Sequence, residues 1–346
     1  KLIKNNLTTT NFYNSTLNLL LDSNYINNLY FNNSFPDSNI LITNNNSVGQ
    51  FFMEKSNTLS KKVIAKYNSF NHTRFTYVDD IVCDSNYFFN NIEFRNCSNI
   101  FCNNDTSSSA GVSYYFEQCN FATLRKSKST SSGGCESYGV IFETSKNGIF
   151  EDNCFLFQNG WAWWCGHERY GIKLNNSDSL LIKNNYFNCT DFTYDGYGII
   201  SYGNANKFDV EKNIIINTRK GILFNQLQNY SIKNNSIINV QDYFIQISNG
   251  DNGIIENNIL NTIVAGNGIN LSSSNTLVKN NKITTINEGI CISNNNNNNT
   301  FANNYMHAGG LGVAKGIVSN SANNMTLFNN SINITSVDRI KGRAIE

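Results

Sequence analysis

Along most of the chain, apolar and polar residues alternate in short runs, and the runs are separated by Asn, Gly and Ser. Alternation with a period of two is the mark of a half-buried β-strand, not of a helix. The segment from Gly221 shows the plan: Gly221-Ile222-Leu223-Phe224, then Tyr230-Ser231-Ile232, then Ser236-Ile237-Ile238, with a turn between each. Three short strands make one unit, and the unit recurs.

From about residue 139 a Gly followed by an aliphatic residue returns at Gly139-Val140, Gly171-Ile172, Gly198-Ile199, Gly221-Ile222, Gly268-Ile269, Gly289-Ile290 and Gly316-Ile317, with Phe244-Ile245 filling the one gap. In step with it, an Asn stands before an apolar pair or alternation at Asn153, Asn185, Asn213, Asn235, Asn258, Asn281, Asn304 and Asn330. The spacings are 32, 28, 22, 23, 23, 23 and 26 residues. Two markers that drift together define one structural turn with loops of variable length, which is the signature of a solenoid. Leucine-rich repeats need a Leu-x-x-Leu-x-Leu frame, and propeller blades need roughly 40 residues or more, so the pattern predicts an all-β stack of three-strand coils of about 21–28 residues. Asn suits the corners, because its short side chain tolerates the left-handed backbone conformation and can pass amide hydrogen bonds from coil to coil. A single Pro in the chain agrees with this, since Pro would remove ladder donors.

Composition changes the picture in two ways. About a fifth of the chain is Asn and only 15% is charged, which on its own would suit a disordered polar tract. Hydrophobic residues at 40% and aromatics at 13%, spaced regularly among the asparagines, supply a core instead. The net charge of +1 carries no electrostatic footprint for nucleic acid. The most apolar run, Leu17 to Leu21, falls far short of the roughly 18 residues of a membrane-spanning helix. The chain begins at Lys1 with no visible signal peptide, so the N-terminus is expected to be processed or internal to a longer precursor.

The repeated Asn-Asn-x-Ile and Gly-Ile elements resemble those of the right-handed parallel β-helix proteins of the pectin-lyase-like superfamily, most of all the Asn-rich adhesin-like surface proteins of archaea. The resemblance covers residues 139–335 well. It covers residues 1–138 loosely, through Leu2-Ile3-Lys4-Asn5-Asn6 and Asn90-Asn91-Ile92-Glu93-Phe94. It implies a right-handed parallel β-helix in one solenoid domain: irregular coils with insertions and longer loops over 1–138, regular coils over 139–337, and a C-terminal tail over 338–346. The stretch Ile332 to Ile345 reads as irregular and charged.

Nine cysteines without a C-x-x-C pair point to disulfides and an oxidising compartment rather than to zinc. Phe94-Arg95-Asn96-Cys97 and Phe116-Glu117-Gln118-Cys119 share a frame one coil apart, so Cys97 and Cys119 are expected on neighbouring rungs, as a disulfide or as a buried thiol stack. Sixteen N-x-S/T sequons, among them Asn71, Asn96, Asn104, Asn188, Asn234 and Asn333, are candidate glycan acceptors, although a composition this rich in Asn, Ser and Thr generates many by chance.

Candidate chemistry gathers in one loop. Trp161, Trp163 and Trp164 precede His167, Glu168 and Arg169, and Asp191 and Asp195 lie about one coil further on. Exposed Trp faces stack on sugar rings while His, Glu, Arg and Asp bond hydroxyls, so these eight residues form a candidate glycan site; the alternative is an insertion that buries its tryptophans. The superfamily contains many polysaccharide-cleaving enzymes. The segment His167-Glu168-Arg169-Tyr170-Gly171-Ile172-Lys173 departs from the polygalacturonase pattern, and Asp79-Asp80, adjacent on a strand, would face opposite ways unless they form a turn. The expectation is therefore an extracellular cell-surface structural or adhesive protein with no catalytic residue, metal or cofactor, which is N-glycosylated and self-assembles into a layer, sheath or filament. Its partners would be itself or surface glycans. A lyase or glycoside hydrolase, or a tailspike-like glycan-binding protein, is the alternative.

Overall fold

The structure, a computed structural model, describes residues 2–13, 19–32, 39–47, 49–54, 62–132, 136–158, 168–189, 196–262, 266–286, 289–310, 312–320, 322–337 and 341–346. Among these residues every regular element is a β-strand and every strand pairing is parallel. Strands stack coil upon coil, as the repeat predicts, in the right-handed parallel β-helix that the resemblance implies. The chain divides into two compact units, Lys1–Cys165 and Gly166–Glu346.

In the N-terminal unit, one sheet runs through Asn6–Tyr13, Tyr25–Asn32, Gln50–Glu54, His72–Thr76, Ile92–Arg95, Val112–Glu117 and Glu136–Glu143. A second sheet includes Leu20–Asp22, Ile40–Thr43, Val63–Lys66, Asp79–Asp84, Ser98–Asn103 and Asn120–Arg125, and a third includes Tyr87–Phe88 and Thr106–Ser108. Alternate residues point inward, so like residues meet like on successive coils. Phe75, Phe94 and Phe116, all 0% exposed, stack with ring centroids 5.4 and 5.0 Å apart and fill the interior.

The Asn corner has a division of labour. The residue before each ladder Asn takes the left-handed conformation, as Lys4, Ser23, Asn44, Tyr67 and Ser85 do at φ of 55 to 58°. The following Asn is buried and passes hydrogen bonds up the stack. Asn45 N–H donates to Asn68 Oδ1 at 3.0 Å, and Asn45 Nδ2 donates to the Leu21 carbonyl at 3.0 Å. Every donor and acceptor of the buried carboxamide is thereby used, which offsets the cost of removing it from water. The ladder steps through Asn5, Asn24, Asn45, Asn68, Asn86, Asp105, Ser127 and Asn153 at intervals of 19, 21, 23, 18, 19, 22 and 26 residues. Coils in this half, expected to be irregular, are thus as short as the others.

The C-terminal unit repeats the plan. Its ladder joins Asn185, Asn213, Asn235, Asn258, Asn281, Asn304 and Asn330 through backbone N–H to Oδ1 bonds of 2.9 to 3.0 Å. Here the preceding left-handed residues are mostly Asn too, including Asn184, Asn234, Asn257, Asn280, Asn303 and Asn329. The Gly of the Gly-Ile marker permits close approach between coils. A Cβ on Gly221 would lie 2.5 Å from the Phe244 carbonyl oxygen, and one on Gly198 would lie 2.6 Å from that of Gly221. The C-terminal stretch, expected to be irregular, forms two strands: Ser331–Ser336 pairs with Tyr305–Gly310, and Gly342–Ile345 with Ala314–Ser319. Half-buried Ile332 and Ile334 and exposed Ile345 stand in register with buried Met306, Ala308 and Ile317, so the stretch continues the apolar columns of the preceding coils. No helix long and apolar enough to cross a membrane occurs among the described residues.

Candidate functional site

The outward residues of one sheet in the N-terminal unit line up as a chemically distinct face. Strand register places Tyr30 beside Phe52, Phe52 beside Arg74, Arg74 beside Glu93, and Glu93 beside Tyr115. One alternation further along each strand come Asn32, Glu54, Thr76, Arg95 and Glu117. Their partners on the inward positions, Phe51, Phe75, Phe94 and Phe116, are core residues, and the period of two forces the intervening side chains outward.

Tyr30 meets Phe52 edge-on at 5.6 Å, and Phe52 meets His72 edge-on at 5.3 Å. The Arg74 guanidinium lies 5.2 Å from the Phe52 ring centre, and that of Arg95 lies 5.2 Å from the Tyr115 ring centre. Glu93 ties these groups together. Its Oε2 accepts from Arg74 Nε at 2.7 Å and from Arg95 Nε at 3.2 Å; its Oε1 accepts from Asn91 Nδ2 at 2.8 Å and lies 3.4 Å from His72 Nε2. Burial alone would raise the Glu93 carboxyl. The close contact with His72 and the hydrogen bond and charge of Arg74 outweigh it and hold the group at about 2. Arg95 Nη1 also reaches Glu117 Oε2 at 3.0 Å. Beside this network lies a groove of about 290 Å³, lined by Tyr30, Phe52, Glu54, Arg74, Thr76 and Arg95. It offers ring faces, guanidinium donors and a carboxylate acceptor along the direction in which coils stack.

Of the residues expected to bind glycan, Trp161, Trp163, Trp164, His167, Asp191 and Asp195 lie outside the described residues. Glu168 and Arg169 open the strand Glu168–Asn175 in the C-terminal unit. Glu168 accepts the Tyr170 hydroxyl, and Tyr170 stacks on Tyr197 at 4.9 Å with Lys173 Nζ 5.0 Å from its ring centre. Burial and the bond to Glu168 push the Tyr170 phenol up. Arg169 is buried. The Asp79-Asp80 pair forms no acid dyad: Asp79 accepts from Ser98, and Asp80 is a left-handed residue with φ of 55°.

The expected Cys97–Cys119 disulfide is not formed. Both are free thiols, as are Cys83, Cys102, Cys154 and Cys291; Cys135 and Cys165 lie outside the described residues. Cys97 and Cys119 fall at a corner where each S–H donates to carbonyls, Cys97 to Arg95 at 3.3 Å and Cys119 to Phe94 at 3.3 Å. The thiols do at this corner what Asn does at the other, so pairing them would sacrifice those bonds. Among the sequon asparagines, Asn104 and Asn234 are exposed at left-handed corners, Asn333 is exposed on a strand, and Asn71 and Asn96 are half-buried. Asn188 is half-buried and accepts from Asn217 Nδ2 at 3.1 Å.

The face on the N-terminal unit was not found from the sequence. The signal was present: Tyr30, Phe52, Arg74, Glu93 and Tyr115 recur one coil apart. Only the ladder makes that spacing visible, because the ladder fixes which residue of each coil opposes which.

A model of the family described as periplasmic copper-binding protein (NosD) matches residues 167–309. No curated protein sequence matches the chain. Among the described residues no group of His, Cys, Asp or Glu converges to hold a metal ion, so the copper of that description finds no ligand set in them. Among solved structures, the Streptococcus pneumoniae surface protein and adhesin PfbA is similar with a TM-score of 0.57 at 13% identity, over 92% of this chain and 90% of that one. The DFA-IIIase of Arthrobacter chlorophenolicus A6 gives 0.54 at 11% identity, over 81% and 75%. The A-module of the Azotobacter vinelandii mannuronan C-5 epimerase AlgE6 gives 0.52 at 12%, over 94% and 90%. At such identities the likeness is one of fold, and the fold that this chain shares with all of them is the right-handed parallel β-helix.

Proposed function

We propose that this protein is a carbohydrate-binding β-helix of the cell surface or envelope, adhesive rather than catalytic, and that the glycan lies in the groove beside Phe52 and Arg74. The observation that carries this reading is the column of Tyr30, Phe52, Arg74, Glu93 and Tyr115. Aromatic faces take up the apolar faces of sugar rings, and fixed guanidinium and carboxylate groups bond hydroxyls, a few convergent polar groups on an apolar base. A groove that follows the coil axis suits a polymer of repeating units.

The same network favours binding over chemistry. A carboxyl held at about 2 and engaged by Arg74 and Arg95 has no proton to donate at neutral pH and little basicity, so Glu93 orients the two guanidiniums. The fold is shared by an adhesin and by enzymes, so it does not choose between them. Of the six candidate acceptors named above, Asn104, Asn234 and Asn333 are the exposed ones, at which a glycan would find most room. Assembly into a layer or filament belongs to the same reading and has its own readout, electron microscopy of the native material.

Affinity electrophoresis through gels containing a panel of polysaccharides tests the binding reading. The wild type should be retarded by at least one of them, and Tyr30→Ala with Phe52→Ala should run freely while keeping the circular dichroism of a β-fold. Migration unaffected by every polysaccharide, or equal retardation of the variant, would overturn it.

A further inference from the structure

One rung of the Asn ladder is acidic. Asp105 is 0% exposed, and its Oδ1 accepts from Asn86 N–H at 2.8 Å and from Asn86 Nδ2 at 3.0 Å, as an Asn oxygen would. Its own N–H donates to Ser127 Oγ at 3.2 Å. The difference lies at the other carboxyl oxygen. On neighbouring coils the second ladder atom is an Nδ2 that donates to a carbonyl one coil back: Asn45 to Leu21 at 3.0 Å, Asn68 to Ile42 at 2.9 Å, Asn86 to Ala65 at 2.9 Å. Register continues that acceptor column from Ala65 to Cys83. The ladder therefore requires a donor at Asp105 Oδ2 facing the Cys83 carbonyl. A carboxylate has none to offer, and Oδ2 is buried without a hydrogen-bond partner.

We propose that Asp105 is held as a neutral carboxylic acid that replaces an asparagine in the ladder, its Oδ2–H donating to the Cys83 carbonyl, and that its ionisation loosens the N-terminal unit as pH rises. The titratable groups that face it are Asp84, Tyr114 and the thiols of Cys83 and Cys102. All are neutral or anionic, so none stabilises a second negative charge. Burial pushes the Asp105 carboxyl up to about 7, against the bonds from Asn86 and the nearby Asn103 backbone, and the Asp84 charge adds to the rise. Between an unfolded value of about 3.9 and this folded value, the unfolded chain has released a proton that the folded chain keeps, so folding weakens as pH climbs through that window and levels off above it. The inference holds whether or not the groove binds glycan.

The test compares the full-length wild type with Asp105→Asn in urea unfolding from pH 4 to pH 9, with infrared spectra of both at pH 5.5. The ratio of their folding constants should move in favour of Asp105→Asn by up to about tenfold per pH unit between about 4 and 7 and then plateau. The wild type should show a protonated-carboxyl stretch that is missing from the variant and that fades above about pH 8. A ratio constant with pH would overturn the proposal. If Asp105→Asn fails to fold, the wild-type band decides: its absence at pH 5.5, or an amplitude that is complete by pH 4.5 and lost by pH 5, would overturn it equally.

Discussion

Replacing one buried ladder asparagine tests the physical basis of the fold, and the Asn257-Asn258 pair provides its own control. Asn258 is 1% exposed; its Nδ2 donates to the Ile232 carbonyl at 2.9 Å and to Asn281 Oδ1 at 2.9 Å, and its Oδ1 accepts from Asn235 N–H at 2.9 Å. Asn258→Ala strands the Asn235 N–H and the Ile232 carbonyl in a site closed to water. Each orphaned group costs about 1–3 kcal/mol, so the substitution should cost about 2–6 kcal/mol. Asn257 is exposed and left-handed with φ of 57°, and Asn257→Ala gives up only the Asn tolerance for that conformation, about 1 kcal/mol. Hydrogen exchange followed by mass spectrometry reads both locally, which matters because a solenoid need not unfold as one unit. Amides over 232–262 should exchange at least about 30-fold faster in Asn258→Ala than in the wild type, and less than about tenfold faster in Asn257→Ala. Equal effects of the two substitutions would refute the division of labour at the corner.

Other substitutions probe the remaining contacts. Gly221→Ala forces a Cβ to within 2.5 Å of the Phe244 carbonyl oxygen, and chemical denaturation should show a loss of about 1–3 kcal/mol. Phe94→Ala removes the middle of an aromatic stack and should cost about 3–5 kcal/mol by the same measurement. Cys119→Ser should fall within about 1 kcal/mol of the wild type, because Ser145 already fills the equivalent place one coil on, donating to the Glu143 carbonyl at 2.8 Å. Since the folded Glu93 carboxyl sits below its unfolded value, its stabilisation is present above about pH 4.5 and is lost as pH falls toward about 2. Acid titration of Glu93→Gln should lack that component.

The sequence made the coil legible where corner and ladder positions were both Asn, as in Asn234-Asn235 and Asn280-Asn281. In the N-terminal unit the left-handed place is held by Lys4, Ser23, Tyr67 and Lys126, and the ladder place once by Asp105 and once by Ser127. Each can satisfy the local geometry, so the fold persists while the written motif fades. The binding face was harder to read for a related reason. Outward positions are free of the packing that constrains Phe75 or Phe94, so their residue type changes from coil to coil and their spacing shows only once the ladder is known. The cysteines misled because a buried corner thiol and a disulfide partner look alike in a chain until the hydrogen bonds of the corner are known.

Calorimetric titration with oligosaccharides of a retained polysaccharide, run beside an assay for new reducing ends or unsaturated products, tests the central claim most directly. The account predicts saturable binding that Arg74→Ala weakens at least tenfold, with no product formed by the wild type. Turnover abolished by Glu93→Gln, or binding indifferent to Tyr30, Phe52 and Arg74, would contradict it.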